Sequence, residues 1–198
     1  MPRVRADDYD AKTQSILDSA AALFAKVGYP GAKMQDIAKA CGASKSMLYH
    51  YFPTKDDLLF AMLEEHLEKV IAGIEEVAAM PRPARERFAA FVLVYAQKSA
   101  QSRRRHVSAM NDVKFLPKAM QGPLLALETK VTDLVATMLR ELNPGLPDEV
   151  YKPYTMLLLG MLNWTDTWYK PGGTIKPQEL CERISRLFLR GFLSEKAG

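Results

Sequence analysis

The sequence has 198 residues, of which 48% are hydrophobic and 25% are charged, values typical of globular proteins and not of disordered or fibrous ones. No apolar run reaches the roughly 18 to 20 residues of a membrane-spanning helix, and aspartates follow the basic N-terminal residues where a secretory signal would be apolar. Cys41 and Cys181 form no CxxC pair. We therefore expect a folded cytoplasmic protein without a membrane span.

Apolar residues recur at helical spacing along the whole chain, and no segment alternates with the period of a strand. The fold class is therefore predicted as all-α, with about nine helices. A less regular segment is expected around residues 103–117, and Thr54 with Asp57 has the spacing of a capping box. Eight of the predicted helices cover residues 10–28, 34–41, 44–51, 55–80, 88–102, 124–142, 148–169 and 177–194.

The short helices near residue 40 have the pattern of a helix-turn-helix. Ala38 is small where two steeply crossing helices need a small residue, and Gly42 suits a turn that requires positive φ. Ser44 is placed to cap the second helix. The outward face of that helix carries no acidic residue, and its side chains can bond to phosphates or base edges: Lys45, Ser46, Tyr49 and His50. A plain helical hairpin is the alternative.

The positive charge is concentrated in the same part of the chain. Residues 1–55 contain eight Lys or Arg and five Asp or Glu, whereas the remainder contains 19 and 18. This distribution indicates a small module that meets a polyanion, attached to a nearly neutral body.

The helix pair and its flanks read IAKACGASKSMLYHYFPTKDDL over residues 37–58. This stretch resembles the DNA-binding signature of TetR-type repressors, and the resemblance extends over roughly residues 11–60. It departs from the family pattern at Ala43, Ser46 and Met47, where the family typically has Val, Gly and Thr. The last two departures affect the expected base preference and leave the expected docking mode unchanged.

The resemblance implies a three-helix DNA-binding domain over residues 8–55 and an effector-binding and dimerisation domain over residues 56–198. Arg3 and Arg5 belong either to a minor-groove arm or to a frayed terminus. The residues that the resemblance implies at the DNA are Lys33, Ser44, Lys45, Ser46, Tyr49, His50 and Lys55.

The C-terminal body offers candidates for an effector site. Residues 163–173 read NWTDTWYKPGG, which is similar to a stretch of the TetR-type branch that senses CoA thioesters. Two tryptophans one helical turn apart either line one wall of a pocket or belong to the core, and the Arg103 to Arg105 run either meets phosphates or is a solvated helix end. The candidate ligand-binding residues are His66, Arg103, Arg104, Arg105, Met110, Phe115, Met120, Trp164 and Trp168, with Lys170 as a further cation.

The last two helices are expected to form a homodimer, because a DNA reader of this kind uses two-fold symmetry to bind a two-fold site. The candidate interface residues are Met156, Gly160, Leu180, Ile184, Leu187, Phe188 and Gly191.

We therefore expect a dimeric repressor that binds double-stranded operator DNA and is released by a small-molecule effector. The expected effector is an acyl- or aryl-CoA thioester, and the alternative is a small uncharged aromatic molecule that would use the same pocket without the arginines. No spacing of potential ligands indicates a metal site, and no motif indicates a cofactor or catalysis. One alternative is a constitutive DNA-binding protein without a ligand. The other is an all-helical lipid carrier or enzyme with a vestigial head.

Overall fold

The computed structural model describes residues 3–170 and 172–196, with side chains from residue 8 onward. Nine α-helices and one 3₁₀ turn account for the regular structure of these residues, which include no strand. The helices are α1 (Arg3–Gly31), α2 (Met34–Ala40), α3 (Lys45–Tyr51), α4 (Lys55–Ala78), α5 (Ala84–Gln101), α6 (Arg103–Asn111), α7 (Lys118–Leu142), α8 (Asp148–Trp168) and α9 (Pro177–Phe192), and the 3₁₀ turn is Val113–Phe115. The all-α prediction is confirmed. The side chains of Arg3 and Arg5 lie outside the described residues.

The chain divides into two compact units. The first comprises residues 1–67 and 104–125, so that α6 and the start of α7 pack with the N-terminal helices. Its apolar interior is built from side chains that recur at helical spacing and are almost completely buried, including Ile16, Ala20, Ile37, Leu48, Leu58 and Met62. Within this unit α2 packs against both α1 and α3.

The second unit comprises residues 68–103 and 126–198. Helices α5, α8 and α9 pack against one another in this unit, around a core rich in aromatic rings. The Phe88 ring stacks on Phe188 with centroids 5.7 Å apart, and Phe188 stacks on Phe192 at 5.6 Å. These stacked rings join α5 to α9.

Local sequence signals place several helix boundaries as expected. The helical dihedral angles of α1 are interrupted at Gly28, which has φ 74° and ψ 156°, a conformation that favours glycine. At the start of α4, Thr54 Oγ1 accepts from the Asp57 backbone N–H at 3.0 Å, and Asp57 Oδ2 accepts from the Thr54 N–H at 3.0 Å. The predicted capping box is thus present.

Residues 103–111 form a helix where we expected a less regular segment. The buried residues of α6 are Arg105, His106, Ser108 and Ala109. Because its inward face is polar, α6 has no apolar stripe by which the sequence could reveal it.

Within the ranges that the structure describes, no helix combines the length and the apolarity that crossing a membrane would require.

Candidate nucleic-acid interface and effector residues

The α2–α3 pair has the geometry of a helix-turn-helix. Ala38 is buried, and its carbonyl accepts a hydrogen bond from the Ala43 N–H at 2.9 Å, which closes the turn. Gly42 has φ 62°, in the left-handed region that other residues avoid. Ser44 Oγ accepts from the Met47 backbone N–H at 3.1 Å and caps α3. The small Ala38, the turn residue Gly42 and the capping Ser44 therefore have the roles that the sequence indicated.

Helix α3 presents a polar face to solvent. Leu48 is its buried residue, and none of residues 44–51 is acidic. The Lys45 Nζ lies 5.9 Å from the centre of the Tyr49 ring on this face. The exposed candidates for DNA contact are Lys33, which precedes α2, and Ser44, Lys45, Ser46, Tyr49 and His50 at α3. Such a surface suits phosphates and base edges, because it combines positive charge with hydrogen-bonding groups.

Lys55 differs from the other candidates for DNA contact because it is partly buried and already bonded. Its Nζ donates to the carbonyls of Tyr29 at 2.9 Å and Ala32 at 3.1 Å, and it lies 4.3 Å from the centre of the Tyr29 ring. The Tyr29 hydroxyl donates to Asp56. Lys55 therefore holds the end of α1 against the start of α4, a structural role that the sequence did not indicate.

Arg105 and His66, predicted at the effector, lie in the interior of the first unit. The Arg105 guanidinium donates to Glu65 on α4 and, at 2.8 Å, to Asp18 on α1. Its side chain is only 6% exposed. His66 Nε2 lies 3.0 Å from Nδ1 of the buried His106. These contacts fasten α6 to α1 and α4, so the charge of Arg105 is not presented as a free cation.

The remaining candidates in the first unit lie nearer the surface. Arg104, Met110 and Phe115 are exposed, and Met120 is half-buried. The Phe115 ring stacks on Tyr29 with centroids 5.8 Å apart.

In the second unit, the two tryptophans are exposed where we expected them to line a pocket wall. Trp164 is 67% exposed and Trp168 is 53% exposed. They follow Met156 and Gly160 at intervals of four residues, and all four positions lie on the exposed side of α8. We call this surface the α8 stripe. Arg103 is also exposed, and its guanidinium donates to the Asp166 carbonyl.

The candidate interface residues of α9 separate into two groups. Leu187, at 68% exposure, and Gly191 face solvent. Ile184 and Phe188 are buried in the core of the second unit, and Leu180 is half-buried. Ile184 and Phe188, predicted at the interface, therefore lie in the core of the protomer, because Phe188 stacks between Phe88 and Phe192 in the same chain.

Four polar residues that sequence reasoning missed form a cluster between α5 and α8, which we call the α5–α8 polar cluster. The Tyr95 hydroxyl donates to Asn163 Oδ1 at 2.9 Å, and Ser99 and Asp166 lie one helical turn further along their helices. Burial raises the pKa of Tyr95, the bond to Asn163 opposes this shift, and the nearby Asp166 adds to it. The available signal was the presence of polar residues within otherwise apolar stripes of two helices.

Two protein-family models match the chain. The first, described as bacterial regulatory proteins of the tetR family, matches residues 16–62. The second, described as a tetracyclin repressor-like C-terminal domain, matches residues 81–192, which is more than half of the sequence. The chain belongs to the TetR family.

Proteins that match nearly the whole chain, and one that matches about a third of it, agree with this assignment. A TetR-family transcriptional regulator from Bordetella parapertussis is 35% identical, and the match covers 94% of this chain and 98% of that one with a TM-score of 0.84. The transcriptional repressor KstR2 of Rhodococcus jostii is 26% identical over 96% of each chain. The repressor Rv1474c of Mycobacterium tuberculosis is 38% identical over 36% of this chain and 38% of its own length.

AibR, crystallised with isovaleryl coenzyme A and operator DNA, matches 89% of this chain and 97% of its own, with 24% identity and a TM-score of 0.77. This likeness shows a shared fold. As a TetR-family member, the protein is a DNA-binding transcriptional repressor and not an enzyme.

Proposed function

We propose that this TetR-family repressor binds a pseudo-palindromic operator as a homodimer and leaves it when a small-molecule effector binds. The acid-free face of α3 carries this proposal, because its exposed Lys45, Ser46, Tyr49 and His50 provide phosphate contacts and base contacts together. Two copies related by two-fold symmetry would place two such helices in successive major grooves.

The homodimer is supported by the apolar surface of the last two helices. The α8 stripe exposes Met156, Trp164 and Trp168, and Leu187 is exposed on α9. Large exposed apolar side chains on adjoining helices mark an association surface, and tryptophan and methionine are enriched in such surfaces. A Cβ atom added at Gly160 or at Gly191 would meet no atom within 4 Å, so both glycines leave space for a partner helix. We propose that a second copy of the chain covers this face.

The proposed effector is an acyl- or aryl-CoA thioester, bound by the C-terminal domain over residues 56–198. Support comes from the exposed cations Arg103, Arg104 and Lys170, which suit the phosphates of a CoA head. AibR shows that a protein of this fold accommodates a CoA thioester. Effector and operator would bind preferentially to different conformations, so each would weaken the other by the same factor.

Selection of binding sites from random DNA, followed by release of the selected complex with a metabolite panel, tests the proposal. A symmetric pair of half-sites and release by one compound class are expected. Stable binding that no compound reverses would favour a constitutive DNA-binding protein. Failure to select any DNA sequence would contradict operator binding, and in either case the proposed function would be wrong.

We predict that substitutions on α3 separate affinity from specificity. Lys45→Ala should weaken binding to all sequences and reduce the salt dependence, since each neutralised phosphate contributes about −0.9 to the log-log slope. Ser46→Ala or His50→Ala should change the preference among sites by roughly 1 to 3 kcal/mol per lost base contact. Gel-shift titrations at several salt concentrations measure both effects.

The matched control is Lys26→Ala, which removes an exposed lysine of α1 outside the α2–α3 pair. Its salt slope should equal that of the wild type. Unchanged operator binding by both Lys45→Ala and Tyr49→Ala at matched salt would show that α3 is not the reading helix.

We also predict that CoA thioesters bind more tightly than their free acids, because the acids lack the phosphates that the exposed cations would bind. Arg104→Ala should cost about 1.5 to 3 kcal/mol of affinity if its guanidinium bonds to a phosphate. Calorimetry with a panel of thioesters and acids measures this difference, with Arg82→Ala as an exposed-arginine control. Equal binding of the free acids would exclude a CoA thioester as the effector, and no loss of affinity in Arg104→Ala would exclude Arg104 as a phosphate contact.

A further inference from the structure

The α5–α8 polar cluster contains two buried atoms that have no hydrogen-bond partner. Ser99 is 6% exposed, and its Oγ is unbonded. The Oδ2 atom of Asp166 is buried and unbonded as well. In the described part of the chain, four buried side-chain nitrogen or oxygen atoms lack a partner, and these are two of them. Buried polar groups are normally bonded, so two unbonded atoms in one cluster indicate a partner that is not part of this chain.

Two contacts, one on each side of Ser99 along the chain, join this part of the chain to the end of α8 that contains Asp166. Tyr95 bonds to Asn163 at one end, and Arg103 bonds to the Asp166 carbonyl at the other. Ser99 lies midway between Tyr95 and Arg103 on the chain, and Asp166 follows Asn163 by three residues. Residues three or four apart share a helix face, so Ser99 and Asp166 belong to one short polar strip.

The chemistry of the two atoms defines the group they can bind. A carboxylate oxygen accepts hydrogen bonds, and a serine hydroxyl both donates and accepts. The partner must therefore donate to Asp166, and an anionic partner would be repelled there. The side chains next to the cluster are apolar: the centroids of the Tyr95 and Phe91 rings are 5.7 Å apart, and Leu162 is buried. An apolar molecule with one hydrogen-bond donor meets these requirements.

We propose that Ser99 and Asp166 bind a hydroxyl or amino group on the apolar part of the effector. This inference depends on the proposed effector response and adds to it the chemistry of the recognised group. For a CoA thioester, the acyl or aryl group would carry the donor. Tyr95 and Asn163 are positioning residues, since their mutual hydrogen bond fixes the neighbouring turn of each helix.

Four probes of nearly equal size test the proposal on the full chain: benzyl alcohol, benzylamine, ethylbenzene and benzoate. Ligand-observed NMR titration should show benzyl alcohol or benzylamine binding about tenfold more tightly than ethylbenzene and benzoate. The probe with the larger advantage identifies the hydroxyl or the amine. The double variant Ser99→Ala/Asp166→Leu should remove the advantage, while Asp133→Leu, on an exposed position of α7, should retain it.

Thermal unfolding of the same variants provides a second, independent measurement. If the two atoms lack a partner in the free protein, Ser99→Ala should melt at the wild-type temperature or above it, since a binding site is built at the expense of stability. A melting temperature several degrees lower would show that water or protein already bonds to Ser99, and would overturn the proposal.

Equal binding of all four probes, or an advantage that survives in the double variant, would also overturn it. Gel shifts with the same variants and no probe keep this result separate from the proposed function. If these variants bind the operator as strongly as the wild type does, the repressor proposal stands whatever the probes show. If the wild-type protein selects no operator, the repressor proposal is contradicted, and the probe result is unaffected.

Discussion

Leu187→Glu should convert the proposed dimer into a folded monomer. Leu187 is exposed in one chain, so glutamate at this position leaves the protomer core unchanged. In a two-fold interface the substitution occurs twice, and each copy would bury an uncompensated charge at a cost of about 3 to 5 kcal/mol. Sedimentation velocity should show half the wild-type mass, and circular dichroism should show unchanged helix content.

Val107→Glu is the matched control, since Val107 is an exposed apolar residue of α6 outside the proposed interface. This variant should remain dimeric. A folded Leu187→Glu protein that still sediments as a dimer would show that α9 does not form the interface.

Arg105→Ala should lower the free energy of unfolding by about 3 to 5 kcal/mol. The substitution removes the guanidinium partner of the Glu65 carboxylate, whose side chain is 20% exposed, and leaves it bonded to the Gln14 amide. Breaking an ion pair that is mostly buried by removing one member has a cost of this size. The bond to Asp18 contributes less because that carboxylate is mostly exposed. Urea denaturation followed by circular dichroism measures the change.

Arg104→Ala provides the comparison, because Arg104 is next to Arg105 in the sequence but its side chain is exposed. Its free energy of unfolding should stay within about 0.5 kcal/mol of the wild type. If Arg105→Ala has the same free energy of unfolding as Arg104→Ala, the contacts of Arg105 do not stabilise α6. Because Arg104 is exposed and Arg105 is buried in ion pairs, Arg104 is the residue on which to test a phosphate contact.

The helix-turn-helix could be predicted from the sequence because its determinants are local. Ala38, Gly42 and Ser44 each act within a few residues: a small side chain at the crossing, a positive φ in the turn and a cap on the next helix. Such signals are readable without knowledge of distant contacts. The core positions of the long helices could be predicted for the same reason, since their apolar period is visible in the chain.

The role of Arg105 could not be predicted because its partners are remote in sequence. Glu65 lies 40 residues away and Asp18 lies 87 residues away, and three consecutive arginines look like a solvated helix end. The tryptophans illustrate a different limit. Their four-residue spacing correctly places Trp164 and Trp168 on one face of α8, but spacing alone does not say whether that face is buried.

The α5–α8 polar cluster was missed for a related reason. A single polar residue in an apolar stripe is common, and Ser99 can be recognised as part of a cluster only when the packing of the helices places Asn163 and Asp166 beside α5. That juxtaposition depends on the packing of α5 and α8, which no local pattern contains.

The single buried side chain of α3 has a consequence for how this repressor can evolve. Leu48 anchors the helix, while Ser46, Met47 and His50 are exposed and contribute little to folding. Substitutions at such positions usually change stability by less than about 0.5 kcal/mol. A duplicated copy of the gene could therefore acquire a new operator through a few changes on this helix while its scaffold remained intact, and the two copies would then control different promoters.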